Sequence, residues 1–179
     1  MPVRKEIRLR RFELRDLEEV DALIERAIKA CCRRFCRKEI IAFFGMYRRQ
    51  ENILKTASDG YVTVADVNGR VAATGSLLGD LVLRVFVDPL RQKQGLGRMI
   101  MAALERQAVS AGVEELRLRS PAGVRGFYES LGYRTAGRGF EDAGGGPPQD
   151  GLVYYRMVKA IGFEEAVSVP AVLQGAGAV

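Results

Sequence analysis

The stretch from Leu81 to Ala111 restricts the fold more than any other. LVLRVFV, Leu81 to Val87, is rich in β-branched residues and reads as a strand; Asp88-Pro89 halts it because proline has no amide hydrogen for a ladder. A loop containing Gly95 and Gly97 follows. Leu96, Ile100, Ala103, Leu104 and Ala108 then recur at helical spacing, and Gly112 supplies a C-terminal stop, so a helix is expected from about Gly97 to Ala111. A strand, a glycine-containing loop and a helix in this order call for an α/β fold.

The loop has a chemistry of its own. Glycines let backbone N–H groups converge without obstruction by Cβ, and a helix N-terminus adds unpaired donors and about half a positive charge. Arg91, Lys93 and Arg98 add side-chain charge, so the segment suits a phosphate or pyrophosphate. Two common phosphate loops are excluded. No Lys-Ser/Thr follows the second glycine, as a Walker A loop requires, and Ile100 stands where the third glycine of a dinucleotide fingerprint belongs.

Elsewhere, Ile7-Arg8-Leu9-Arg10 alternates like a short strand, and Asp16 is expected to open a helix with Leu17, Val20, Leu23, Ile24 and Ile28 on one face. A second helical pattern carries Ile40, Ile41, Phe43, Phe44 and Tyr47. YVTVADV and RVAATGSLL flank Asn68-Gly69, a strong hairpin signal. Leu116 to Ser120 reads as a strand, VRGFYESL as a short helix ended by Gly132, and Tyr133–Phe140 and Leu152–Val158 as two last strands across a Gly144–Pro148 loop. The chain therefore reads as one domain over residues 1–161, with a tail over 162–179 expected to be partly disordered or docked elsewhere.

Composition narrows the chemistry. With no histidine among 179 residues, Ser-His and Cys-His catalysis are excluded, and a base must be a carboxylate, tyrosine, lysine or water. Cys31, Cys32 and Cys36 are too close together for a disulfide framework or a zinc site, so no metal is expected. The charged start MPVRKEIRLRR has no secretory apolar run, and no segment approaches a membrane span; a cytoplasmic protein without membrane contact is expected. Of the net charge of +6, the segment Arg26 to Arg49 contributes eight basic residues against one acid, Glu39. This run reads either as a solvated helix face or as a contact for an anionic ligand. It lacks the aromatic interleaving of a nucleic-acid surface, and no nucleic-acid partner is expected.

Val87-x-Pro89-x-x-Gln92-x-x-Gly95-x-Gly97 resembles the acetyl-coenzyme A motif of the GNAT superfamily of N-acetyltransferases. Gly126-Phe-Tyr128-Glu-Ser-Leu-Gly132-Tyr133 resembles that superfamily's second signature, F-Y-x-x-L-G-F/Y. The resemblance implies a mixed, mostly antiparallel central sheet flanked by helices, with splayed middle strands. It implies acetyl-coenzyme A as co-substrate, with its pantetheine arm beside Phe86 and Val87 and its pyrophosphate on the backbone of Gln92, Lys93, Gln94, Gly95, Leu96, Gly97 and Arg98. Tyr128 would lie near the thioester sulfur and assist its departure, so it counts as both a catalytic and a cofactor-binding residue. The other partner would be a small-molecule or peptide amine, with an anionic group on it favoured by the basic run, and a homodimer is compatible with this reading.

Two positions depart from the superfamily's pattern. Pro121 stands where many relatives carry an asparagine, and Gly79-Asp80-Leu81 where many carry a glutamate base. Asp80 is the first candidate for that base, with Glu141 and Asp142 as rivals. The departures also keep open a non-catalytic acyl-coenzyme A sensor.

Overall fold

The computed structural model describes residues 6–35, 50–141 and 152–162. The chain runs β1 (Ile7–Arg11), α1 (Leu17–Phe35), α2 (Gln50–Asp59), β2 (Tyr61–Val67), β3 (Arg70–Leu78), β4 (Leu81–Val87), α3 (Leu96–Ser110), β5 (Glu115–Pro121), α4 (Arg125–Glu129), β6 (Arg134–Glu141) and β7 (Leu152–Ala160). The strands form a seven-stranded sheet in the order β1-β2-β3-β4-β5-β7-β6. Every neighbouring pair is antiparallel except β4 with β5. The expected mixed sheet flanked by helices is therefore the fold of this chain.

The hairpin between β2 and β3 closes as its sequence requires. Asn68 and Gly69 take φ of 54° and 78°, the pair of positive angles that matches the strand twist, and Val67 faces Arg70 across the turn. β3 is buried from Val71 to Leu77 because helices cover both of its faces. On one side Val20, Leu23, Ile24 and Ile28 of α1 and Ile53 of α2 pack against Val64 and Val71. On the other, Leu96, Ile100, Met101, Leu104 and Ala108 of α3 pack on Ala65, Ala73, Leu77, Leu116 and Leu118. Each fully buried aliphatic side chain contributes about 1.5–3 kcal/mol, so these two helical stripes set which face of each strand turns inward.

A polar knot ties the start of the chain to the sheet. Asp16 takes two hydrogen bonds from the Arg10 guanidinium, at 2.6 and 2.8 Å, and one from the Glu13 N–H at 2.8 Å, while Arg10 Nε reaches Asp66 at 3.2 Å. Asp16 thus sits in a 3₁₀ turn, Leu14–Asp16, and the helix opens one residue later, at Leu17. α2 has no counterpart in the sequence reading: QENILKTASD is mostly polar, and only Ile53 and Thr56 are buried. The helical pattern of Ile40–Tyr47, the Gly144–Pro148 loop, Cys36, Asp142 and the tail beyond Gly162 lie outside the described residues. Among the described residues no helix is long and apolar enough to cross a membrane.

Candidate active site

The centre of the sheet carries a defect that makes a site. β4 and β5 run parallel but share one register position, Leu81 with Arg117, supported by a 2.9 Å bond from the Arg117 N–H to the Asp80 carbonyl. Beyond it the strands pair no further, although both continue for several residues. The cause lies in β4. Between the pairs Thr74–Phe86 and Ser76–Leu83, two residues of β4 (Arg84 and Val85) oppose Gly75 alone, and Arg84 takes a left-handed φ of 51°. A bulge of this kind bends its strand and raises its twist, turning β4 away from β5. The strained Arg84 is held by its side chain, which donates to Thr56 Oγ1 of α2 at 2.7 Å. The bulge has no clear signal in the sequence, since nothing in LVLRVFV announces a left-handed arginine.

The open end of this slot is capped by the glycine loop. Asp88 accepts from the Leu90 N–H at 3.0 Å and from Arg26 of α1 at 3.1 Å, fixing the turn after β4. Lys93 and Gly95 take φ of 59° and 85°, bringing the chain round into α3. The first helical bond runs from the Met99 N–H to the Gly95 carbonyl at 3.0 Å, so the amides of Leu96, Gly97 and Arg98 precede the ladder and have no acceptor within it. Leu96 is fully buried and anchors the loop, while Gln92, Lys93, Gln94 and Gly95 are exposed. Gly97 serves a different need from Gly95: a Cβ there would come 3.1 Å from Phe127 Cζ and 3.6 Å from Val87 Cγ2. Its lack of a side chain lets α3 close on α4 and β4. Arg98 donates to Ser130 Oγ at 2.9 Å, and Ser130 in turn donates to the Phe127 carbonyl at 2.7 Å, so the guanidinium ties the end of the glycine loop to the Gly126–Tyr133 segment.

Tyr128 is buried on α4, edge-on to Phe127 at 5.1 Å and to Tyr133 at 6.0 Å between ring centroids. Burial pushes its hydroxyl pKa above the ordinary tyrosine value. No hydrogen-bond partner for that hydroxyl is found among the described residues. Tyr133 is pushed up too, by burial first and by the charge of Glu105 second. Phe86 and Val87 are half-buried on the β4 side of the slot, and Ser120 and Pro121 end β5 on the other side. Asp80 sits in the β3–β4 turn at the closed end, gripped by Arg117 through contacts of 2.6 and 2.7 Å. The hydrogen bond from Arg117 holds its carboxyl below the usual range, so Asp80 is a weak base while that pair persists. A separate cavity of about 300 Å³ opens between β1, β2 and the C-terminal half of α3, lined by Leu9, Arg10, Tyr61 and Arg106 among others; no residue of the glycine loop or α4 reaches it.

Solved structures share this fold. A GCN5-related N-acetyltransferase from Rhodopseudomonas palustris superposes with a TM-score of 0.77 at 20% identity, covering 90% of this chain and 99% of that one. PaiA N-acetyltransferase from Thermoplasma acidophilum, solved with coenzyme A, gives 0.68 at 17% identity over 87% of this chain and 99% of that one. The fold is that of the GCN5-related acetyltransferases. Sequence comparison goes further: the family described as Acetyltransferase (GNAT) domain matches residues 31–146. The chain belongs to the GNAT acetyltransferase family. Among curated relatives, serotonin N-acetyltransferase 2, chloroplastic, of Oryza sativa subsp. japonica is 33% identical over 106 residues, 53% of each chain. A provisionally assigned acetyltransferase of Bacillus subtilis (strain 168) is 39% identical over 70 residues, 39% of this chain and 44% of that protein. The chain thus spans about half the length of the curated relatives it matches.

Proposed function

We propose that this chain is an N-acetyltransferase that takes acetyl-coenzyme A as co-substrate and passes the acetyl group to an amine by direct attack in a ternary complex. The observation that carries this reading is the slot: two parallel middle strands that meet at Leu81–Arg117 only, with unladdered amides at its open end. The pantetheine arm would pair with the backbone at Phe86 and Val87, which lie beyond the one register position that β4 shares with β5. The pyrophosphate would lie on the amides from Gln92 to Arg98, near the charges of Lys93 and Arg98. The left-handed Gly95 and the Cβ-free Gly97 fit such a cradle.

In the reaction the amine nitrogen attacks the thioester carbonyl, the C–S bond breaks, and coenzyme A leaves as a thiolate that gains a proton. Tyr128 would donate a hydrogen bond to that sulfur as charge develops. A phenol near pKa 10 is a weaker acid than a thiol near 8.5, so full proton transfer is uphill by about 2 kcal/mol, and burial raises that further. Stabilisation in the transition state is therefore the larger contribution. The neutral amine that attacks forms when the acceptor's ammonium loses a proton, to Asp80 once released from Arg117, to Glu141 or Asp142, or to water.

The test is thiol release from acetyl-coenzyme A across a panel of polyamines, amino acids, aminoglycosides and peptides, beside thermal stabilisation by coenzyme A. Stabilisation with amine-dependent thiol release supports the reading. Stabilisation without turnover on any amine would instead make this an acyl-coenzyme A sensor, and the absence of both would remove the reading altogether.

A further inference from the structure

Strand β4 changes its alternation partway along. Val82 lies in the cluster that includes α3, and Val85 and Val87 pack against the same cluster. Phe86 packs instead on the cluster formed with α1 and α2, and the Arg84 guanidinium reaches α2 as well. Strict alternation counted from Val82 would put both Arg84 and Phe86 on the α3 side. The extra residue of the bulge reverses that parity. An arginine on the α3 side would carry its charge into apolar surroundings, a cost that the reversal removes.

The reversed arginine is received by Thr56, whose hydroxyl is used twice. It accepts from Arg84 Nη1 at 2.7 Å and donates to the Asn52 carbonyl, one turn back along α2, at 2.8 Å. Thr56 is buried, so the bond from the guanidinium is shielded from water. Bonds to a charged donor are the stronger kind. A non-glycine residue at a φ of 51° carries strain, which this bond helps to offset. Phe86 and Val87 follow directly, on the β4 side of the slot, so whatever fixes Arg84 also aims them. Neither Arg84 nor Thr56 belongs to either family motif.

We propose that Arg84 and Thr56 are positioning residues for the co-substrate: their bond keeps β4 in its bulged form, and with it the slot open beside Phe86 and Val87. The inference rests on the acetyltransferase reading and gives α2 a part in holding acetyl-coenzyme A without touching it.

Replacements at these two positions separate backbone from side chain. Arg84→Gly removes the guanidinium but accepts a positive φ without steric cost, so the bulge should stand and coenzyme A should still raise the melting temperature. Arg84→Val suits a regular strand and resists a positive φ, so that stabilisation should be lost. Thr56→Val keeps the shape of threonine and removes the acceptor. KM for acetyl-coenzyme A should then rise about tenfold or more, with kcat changed much less. Thr56→Ser should keep the parental KM, and Arg84→Gly added to Thr56→Val should restore it, because glycine needs no anchor. Backbone chemical shifts of Arg84, which report the sign of φ, give a readout free of ligand, and Thr56→Val should abolish their left-handed signature. Undiminished binding in Thr56→Val or Arg84→Val, loss of binding in Arg84→Gly, or no rescue in the double variant overturns the proposal. If Arg84→Val does not fold, the Thr56 variants and the rescue carry the test. Failure of the acetyltransferase reading would look different, as absence of stabilisation by coenzyme A in the parent protein. The chemical shifts then decide, and a left-handed Arg84 that persists in Thr56→Val overturns the proposal by itself.

Discussion

Removal of one oxygen, by Tyr128→Phe, should lower activity and leave stability nearly unchanged. The ring stays, and with it the edge-on contacts to Phe127 and Tyr133 at 5.1 and 6.0 Å. What goes is a hydroxyl on a residue only 8% exposed, with no hydrogen-bond partner found for it among the described residues. The Tyr133 hydroxyl, not that of Tyr128, is a fully enclosed oxygen without a partner among the described residues, so removing the Tyr128 oxygen relieves no such penalty and stability should change by no more than about 1 kcal/mol. Activity should fall, because the Tyr128 hydroxyl is the donor proposed for the departing sulfur. One such donor supplies roughly ten- to a thousand-fold in rate, or about 1.4–4 kcal/mol of transition-state stabilisation. The loss should appear in kcat with little change in either KM. It should also shrink with an acyl donor whose thiol has a lower pKa. Thermal unfolding and thiol release on one preparation read both effects. A variant with parental kcat, measured where chemistry limits the rate, would refute the assignment and leave Tyr128 as a packing residue. A variant destabilised by several kcal/mol would show that its hydroxyl was satisfied after all.

Gly95→Ala forces a side chain into a φ of 85° and should cost about 1 kcal/mol of stability while weakening the thermal shift given by coenzyme A; a full shift would place the phosphate elsewhere. Asp80→Asn breaks the pair with Arg117 and should leave the acidic limb of the pH–kcat/KM profile in place; disappearance of that limb would make Asp80 the base. Burial alone would raise the Asp16 pKa, but the hydrogen bonds from Arg10 and the Glu13 N–H outweigh it and hold the carboxyl below its ordinary value. Its contribution to stability is therefore complete above about pH 4 and lost as pH falls through the lower folded value. Asp16→Asn should cost about 2 kcal/mol near neutral pH and flatten the acid limb of unfolding; a limb of parental steepness would refute the role given to the knot.

Much of this protein was legible because its signals are local. Asn68-Gly69 fixes a hairpin through the φ angles those two residues tolerate, and the stripes of α1 and α3 follow from helical period alone. The two family motifs announced the loop and Tyr128 by residue type and spacing, and the family match over residues 31–146 agrees with them. What stayed hidden depends on neighbours distant in sequence. α2 is polar along most of its length and is held by Ile53, Thr56 and the bond from Arg84, none of which makes a periodic pattern. Asp80 looked like a free carboxylate until β5 brought Arg117, 37 residues away, against it. Gly97 read as a phosphate glycine, but only the approach of Phe127 reveals its packing demand. Arg84 reads as one residue of an alternating strand, and only the bulge turns it toward Thr56, 28 residues away. Backbone preference and hydrophobic period act over a few residues and can be read in line, whereas register, bulges and charge pairing exist only once separate strands have met.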